Sequence, residues 1–478
     1  MRQWHVILDV REGSVVVRSS APLDPGVFDD LWWTIGRRPD VEIVSEDVLD
    51  AEIAEIEEEH AETAATLIAS LDVEPAAEPE VVLEEGDLLA QAQEVPVVRL
   101  VNLLLSEALE ARASDLHLEA GRDRVQVRYR VDGVLVEAPS PPPALVPAVV
   151  GRLKVMADLD VAERRRPQDG RIRLRLEGRA VDVRVSTLPT LHGESVVLRL
   201  LESEGRRLGL GDLGMGADTR ALYEDLLAIP HGVLLTTGPT GSGKTTTLYA
   251  ALEQIRTGRE KIVTVEDPVE YALDGIAQVP VNRKAGVTFA SALRSILRQD
   301  PDVILVGEMR DTETAEICVQ AALTGHLVLS TLHTNDAPGA LVRLVDLEVE
   351  RYLVASTVEG VLAQRLVRVV CGACAEPEEP VPLVAREMEA AGFGADRIHR
   401  GRGCPACRGT GYRGRTGVYE LLPLDDDLRS ELLRPGTGVG PLRGLALERG
   451  MRPLRADGWR QVAAGVTTPE EVLRVSHA

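Results

Sequence analysis

The chain has 478 residues, and at about 150 residues per domain it divides into about three domains. A formal net charge of -23 with a pI near 4.9 opposes phosphate backbones, so the basic stripe of a duplex DNA binder is excluded as a first reading. No apolar run approaches the roughly 18 residues of a spanning helix, and "MRQWHVILDV" lacks the continuous apolar core of a signal peptide, so the sequence reads as cytoplasmic.

The chain opens with two strand-like runs, "WHVILDV" and "SVVVRSS", followed by "FDDLWWTIGRR", which suit a small N-terminal domain over 1–45. Trp32 and Trp33 read as core, with a docking patch as the alternative. Between Arg38 and Arg99 there is no Lys or Arg, while Glu and Asp crowd the segment 46–95. Its first half suits an acidic helix; its second, with Pro75 and Pro79, suits a linker. From 96 to 203 the pattern is α+β. The helix "PVVRLVNLLLSEALEARA" leads into "SDLHLE", and Val125, Val127, Tyr129 and Val131 then alternate with polar residues before an Asp132-Gly133 turn. A second hairpin sets Ile172, Leu174 and Leu176 on one face against Arg171, Arg173 and Arg175 on the other. The Gly-rich "GRRLGLGDLGMG" separates this region from the next, 204–370.

That next region carries the chemistry. "HGVLLTTGPTGSGKTTTLYAALEQI" is a buried strand, a GxxxxGK[ST] loop and a helix. Gly238, Gly241 and Gly243 let the backbone N–H groups of Pro239's successors, Thr240 and Ser242 among them, turn inward around phosphates. Lys244 reaches the β and γ oxygens, and the Thr245 hydroxyl is placed for Mg²⁺. A second strand, "KIVTVEDPVEY", delivers Glu266, Asp267 and Glu270 at its C-terminal end, where α/β sheets bind ligands. In "ILRQDPDVILVGEMRD" a third strand ends in Gly307 and Glu308, although many phosphate-loop ATPases end that strand in Asp. The helix before it sets Phe289, Leu293, Ile296 and Leu297 on one face and Arg294 and Arg298 on a neighbouring one, either a solvated stripe or a functional pair. A fourth strand, "HLVLSTLHTNDA", is bracketed by His326 and His333.

Beyond these strands, "CGAC" (Cys371, Cys374) and "CPAC" (Cys404, Cys407) form two CxxC pairs. Four thiolates of this kind enclose a tetrahedral Zn²⁺ and leave no position for water, so the element over 371–407 reads as structural, with four reduced thiols as the alternative. The gap between the pairs is longer than the common 15 to 20 residues, and the helical "LVAREMEAAG" fills it. The fifth cysteine, Cys318, reads as a small apolar residue of a helix. The remainder, 408–478, reads as helical.

The phosphate loop, "VEDPVEY", "GEMRD" and "TGHLVLSTLHTNDA", in this order, resemble the secretion ATPases that power type II secretion and type IV pilus assembly, from about Pro96 to the C-terminus. The resemblance implies a RecA-like phosphate-loop ATPase domain of α/β class, preceded by an α+β (PAS-like) domain and followed by a zinc-binding subdomain. In that family the third strand ends in Gly-Glu. It further implies ATP hydrolysis with Mg²⁺ held by Thr245 and Glu308, and an attacking water polarised by Glu266, with the division between the two carboxylates left open. His326 and His333 would sense the γ-phosphate or transmit its loss. Arg171 and Arg184 would act as arginine fingers in a homo-hexamer, with exposed faces of an Arg-rich hairpin as the alternative. The cysteine element favours an extension motor over a retraction motor. The implied partner is the cytoplasmic domain of an inner-membrane platform protein, reached through the acidic N-terminal region; membrane contact is indirect and the enzyme is peripheral on the cytoplasmic face. Pilus assembly, a nucleic-acid translocase and a nucleotide-gated scaffold are the competing functions; the acidic balance speaks against nucleic acid.

Overall fold

The computed structural model describes residues 6–11, 14–20, 40–45, 48–49, 63–70, 95–122, 124–176, 179–202 and 208–476. Trp32, Trp33, Pro75, Pro79 and most of the acidic segment lie outside them. Near the N-terminus, β1 (Val6–Arg11) runs antiparallel to β2 (Ser14–Ser19), and β3 (Asp40–Ile43) pairs parallel with β2.

The helix Val95–Glu110 places Val97, Leu100, Val101, Leu104, Leu105 and Ala108 on one buried stripe, the spacing an amphipathic helix needs. This stripe covers a six-stranded antiparallel sheet of β4 (Ala113–Ala120), β5 (Val125–Val131), β6 (Val134–Ala138), β7 (Gln168–Leu176), β8 (Arg179–Thr190) and β9 (Gly193–Glu202), in the order β6-β5-β4-β9-β8-β7. As the alternation predicts, Val125, Val127 and Tyr129 point into the core while Arg128 and Arg130 face the other way. The β5–β6 turn has positive φ at both central residues, Asp132 (49°) and Gly133 (85°), which matches the right-handed twist of the strands it joins.

The main sheet follows. β10 (Gly232–Thr237), β11 (Ile262–Glu266), β12 (Ala277–Pro280), β13 (Val303–Val306), β14 (Leu327–Leu332) and β15 (Val358–Val370) are parallel, in the order β12-β11-β13-β14-β10-β15. "GVLLTT", "VILV" and "LVLSTL" are buried throughout, as strands covered by helices on both faces must be. One covering helix, Thr312–Leu323, carries Cys318 fully buried; burial pushes its thiol well above the ordinary range and leaves it an inert packing group. The cysteine element contributes a small hairpin, β16 (Ala375–Glu378) with β17 (Ile398–Gly401), around the expected helix, here Pro382–Ala390.

After the cysteines the chain first adds β18 (Tyr412–Pro423), where the sequence pattern suggested only helices. β18 lies antiparallel to β15 along most of its length and closes an edge of the sheet that would otherwise expose unpaired backbone. Four helices, Asp426–Leu433, Val439–Glu448, Leu454–Ala463 and Pro469–Ser476, complete the region. Among the described residues no helix is long and apolar enough to cross a membrane.

The last helix is fastened to β15 by one carboxylate. Glu471, 1% exposed, accepts from Arg368 Nη2 and N (both 2.9 Å) and from Arg474 Nη2 (2.6 Å). Burial opposes its charge, yet these bonds hold its carboxyl down at about 2, below the 4.5 of a free Glu. A depressed carboxylate stabilises the fold above the unfolded value, so this contribution is complete above pH 4.5 and is lost as the pH falls toward 2. Glu471→Gln should therefore cost about 3 kcal/mol at neutral pH, and the gap in thermal midpoint between the two proteins should close below pH 4.5. A gap that stayed constant from pH 7 to pH 3 would assign the loss to packing instead.

Candidate nucleotide site and cysteine cluster

The loop 238–245, Glu266 and Glu308 lie at the C-terminal end of the parallel strands. β10 ends at Thr237, the loop turns through Gly238 (φ 150°), Gly241 (79°) and Gly243 (87°), and the helix Lys244–Ile255 begins. Gly238 is required sterically, since a Cβ there would lie 2.5 Å from the Gln364 carbonyl oxygen on β15. Gln364 also donates to the Ser242 carbonyl (2.6 Å), so β15 braces the loop from behind. Pro239, Thr240 and Thr245 are exposed at the open end, where free backbone N–H groups and the helix dipole favour an anion. Lys244 folds back onto its own loop, donating to the carbonyls of Gly238 (2.7 Å) and Pro239 (3.1 Å). Burial pulls its ammonium down to about 8, against the attraction of Glu308. An incoming phosphate offers the stronger counter-charge.

The two carboxylates sit in different surroundings. Glu308 follows β13 and is mostly buried; Arg310 Nε lies 2.7 Å from its Oε2 and His333 Nε2 3.4 Å from the same oxygen. Gly307 precedes it for a packing reason: a Cβ would come within 3.3 Å of the Val265 carbonyl and 3.4 Å of Glu266 Cα, pressing β11 away. Glu266, at the end of β11 and 4% exposed, receives the Tyr249 hydroxyl on Oε2 and Thr264 Oγ1 (2.5 Å) and Gln278 Nε2 (3.2 Å) on Oε1. Asp267 and Glu270 lie further out and are exposed; Asp267 faces Arg283 at 3.6 Å.

The two histidines lie at opposite ends of β14, and only His333 is at this site. His333 leaves β14 at the phosphate end, in a loop pinned to β10 by Thr334 N donating to Thr237 Oγ1 (2.8 Å). His326 precedes β14: its carbonyl accepts from Gly232 N at the start of β10 (3.1 Å), and its Nδ1 lies 2.8 Å from the Ala321 carbonyl. At about 3.3 Å per residue, the strand between them sets the two roughly 20 Å apart, so the expectation that both face one γ-phosphate is corrected for His326.

Arg171 and Arg184 are directly opposed on β7 and β8. Arg184 also pairs in register with Arg199, Arg199 with Asp115 and Asp115 with Arg130, so four arginines and one Asp form a single row across five strands. Like charges in adjacent strands need compensation. Asp182 holds Arg171 with both oxygens, Asp115 takes Arg199 (3.0 Å), and Arg184 reaches Glu270 of the nucleotide region at 3.5 Å. Arg294 instead pairs with Glu313 at the surface, and Arg298 donates to the Arg294 carbonyl (2.7 Å), a solvated arrangement.

Cys371, Cys374, Cys404 and Cys407 converge with their Sγ atoms within 4.8 Å of one another. Three of the separations are 3.9, 3.8 and 3.7 Å. A tetrahedron of thiolates about 2.3 Å from a central zinc has edges of about 3.8 Å, so the donor set fits that ion. Cys407 Sγ also accepts from the backbone N–H groups of Cys404 (3.1 Å) and Gly411 (3.2 Å), which suits a thiolate.

The motif reading missed Tyr249, Gln278, Arg310 and Gln364. Arg310 had a signal, two residues after Glu308, and so had Tyr249, four residues after Thr245 on the same helix; Gln278 and Gln364 act from separate strands and carry none.

The family model described as "Type II/IV secretion system protein" matches residues 90–474. "Type II secretion system protein E" of Pseudomonas aeruginosa is 51% identical over 460 residues, covering 92% of this chain and 88% of that one. "Type II secretion system ATPase E" of Vibrio cholerae is 49% identical over 397 residues, covering 82% and 78%. Among solved structures, the pilus retraction motor PilT with bound ADP aligns with a TM-score of 0.53 at 26% identity, over 79% of this chain and 97% of that one. The Legionella pneumophila ATPase DotB aligns with a TM-score of 0.58 at 20% identity, over 78% and 94%, a likeness of fold.

Proposed function

The chain belongs to the type II/IV secretion system protein family, and on that premise we propose that it is the ATP-hydrolysing motor of type II secretion, working as a homo-hexamer that drives pseudopilus assembly. One observation carries the reading: the loop 238–245, Glu266, Glu308 and His333 come together at one end of a parallel sheet, although the chain separates them widely. The loop amides and Lys244 bind the triphosphate. Thr245 and Glu308 would hold Mg²⁺, which neutralises charge on the phosphate oxygens when bound. Glu266 orients the attacking water, and His333, in reach of Glu308, reports loss of the γ-phosphate to the loop behind it. The four cysteines hold a structural Zn²⁺. The partner is the cytoplasmic domain of an inner-membrane platform protein, which keeps the motor on the cytoplasmic face.

Arg171 and Arg184 supply cations to the nucleotide, across a subunit boundary or within one chain. Arginine fingers are worth about 10³ to 10⁵ in rate in related NTPases, and sharing the task along a row lowers the share of each. Arg171→Ala and Arg184→Ala should each lower turnover at least tenfold, on the order of the smaller share of that effect, with hexamer formation by light scattering intact. Turnover within about twofold of wild type in both would remove the arginines from the reaction. The function itself is tested by ATP turnover of the purified protein with size measured with and without ATP and Mg²⁺. A monomer without turnover under all conditions, platform domain included, would end the proposal.

A further inference from the structure

We infer that Tyr249 is a positioning residue of the hydrolytic step, fixing the Glu266 carboxylate so that a single lone pair remains to orient the attacking water. The inference rests on the reading of Glu266 as the water-orienting carboxylate.

An ionised carboxylate offers about four acceptor positions. Thr264 Oγ1 and Gln278 Nε2 occupy both on Oε1, and the Tyr249 hydroxyl occupies one on Oε2. The open position is therefore on Oε2, beside the bond that Tyr249 makes. A carboxylate held at Oε1 alone could swing Oε2 through an arc; the tyrosine removes that freedom. Its ring is locked in turn, 1% exposed and edge-on to Tyr271 with centroids 4.7 Å apart at 81°. The hydroxyl oxygen also accepts from Gln278 Nε2 (3.3 Å) and the Glu270 N–H (3.4 Å), which orients its proton toward Glu266. Burial, reinforced by the hydrogen bond to Glu266, holds its ionisation far above the ordinary tyrosine value, so it stays a donor at any working pH.

The position in the chain gives the arrangement its use. Tyr249 lies four residues after Thr245 on the helix that begins at the phosphate loop, and residues so spaced share a helix face. One rigid helix thus carries both the groups that grip phosphate and the hydroxyl that aims the carboxylate. Water and phosphorus are registered against a common frame, the geometric requirement for in-line attack.

Tyr249→Phe removes only the hydroxyl and keeps the ring and its packing. The expected result is a kcat about 10- to 100-fold lower, a part of the 10² to 10⁴ that a positioned base contributes, with KM and nucleotide affinity within about twofold. Combined with Glu266→Gln, Tyr249→Phe should add nothing to the loss that Glu266→Gln causes alone, because a residue acting through another has no effect once that partner is disabled. Unchanged kcat in Tyr249→Phe, additive losses in the double variant, or a loss of nucleotide affinity that matches the loss of kcat would each overturn the inference. The last would leave Tyr249 a structural tie. Wild-type turnover in Glu266→Gln would instead defeat the premise, an outcome distinct from the failure of Tyr249 alone.

Discussion

Glu308→Gln should lower ATP turnover at least about 100-fold while ATP remains bound, because the substitution keeps the shape of the side chain and removes its charge. Three cationic or protonatable groups converge on that charge: Arg310 at 2.7 Å, His333 at 3.4 Å and, through space, Lys244. With a neutral amide the proposed metal site loses the Glu308 charge, and Arg310 loses the carboxylate it pairs with. Binding should survive, since it depends on the loop amides and on Lys244, which Glu308 does not touch by hydrogen bond. Single-turnover hydrolysis alongside equilibrium binding of a fluorescent ATP analogue separates the two effects. Unchanged turnover would mean that the carboxylate serving phosphoryl transfer lies elsewhere, with Glu266 the next to substitute. A parallel loss of binding would mean that Glu308 shapes the loop.

Glu308 also shows what a sequence pattern conveys and what it does not. The phosphate loop was readable because all of its parts are consecutive: three glycines, a lysine and a hydroxyl residue between an apolar strand and a helix need no tertiary contact to be recognised. Strand ends were readable for a related reason, since three buried runs, β11, β13 and β14, each stop at or beside a carboxylate or histidine. The surroundings of those ends were not. Glu266 takes its donors from Tyr249 on a helix, Thr264 on its own strand and Gln278 on the edge strand, a set that exists only once β12 pairs with β11. His326 and His333 look equivalent when the pattern is read as a bracket; strand direction makes them opposites. β18 is not legible because "YRGRTGVYELLP" carries two glycines and three charged residues, and only its pairing with β15 identifies it. The arginine row across β5, β4, β9, β8 and β7 needs the register of four pairings, none of which the alternation of a single strand specifies.

Cys404→Ser should release the metal and unfold the element 371–407 while the phosphate loop still binds nucleotide. The reason lies in what else holds that element. Its own buried side chains are few, Val384, Met388 and Ile398, and they lean on Trp459 and Val462 of a neighbouring helix and Val472 of the next. A core of that size does not order about forty residues, given the entropy each one loses on folding. Structural zinc, by contrast, contributes about 10 to 16 kcal/mol to small folds, so losing even a quarter of it would be about 3 kcal/mol. The cluster also clasps the outer edge of the main sheet. Cys371 directly follows β15, its N–H donates to the Gly411 carbonyl (2.9 Å), and β18 begins at the next residue, Tyr412, whose ring lies under Arg368 at 3.9 Å. Wild-type protein should carry about one zinc per chain, one for each set of four thiolates. In the variant, hydrogen exchange should rise first over 371–407, then along the ends of β15 and β18, and least at β10 and the loop 238–245. Metal-free wild-type protein with unaltered exchange over 371–407 would show that the four thiols pack as they stand and that the ion is dispensable.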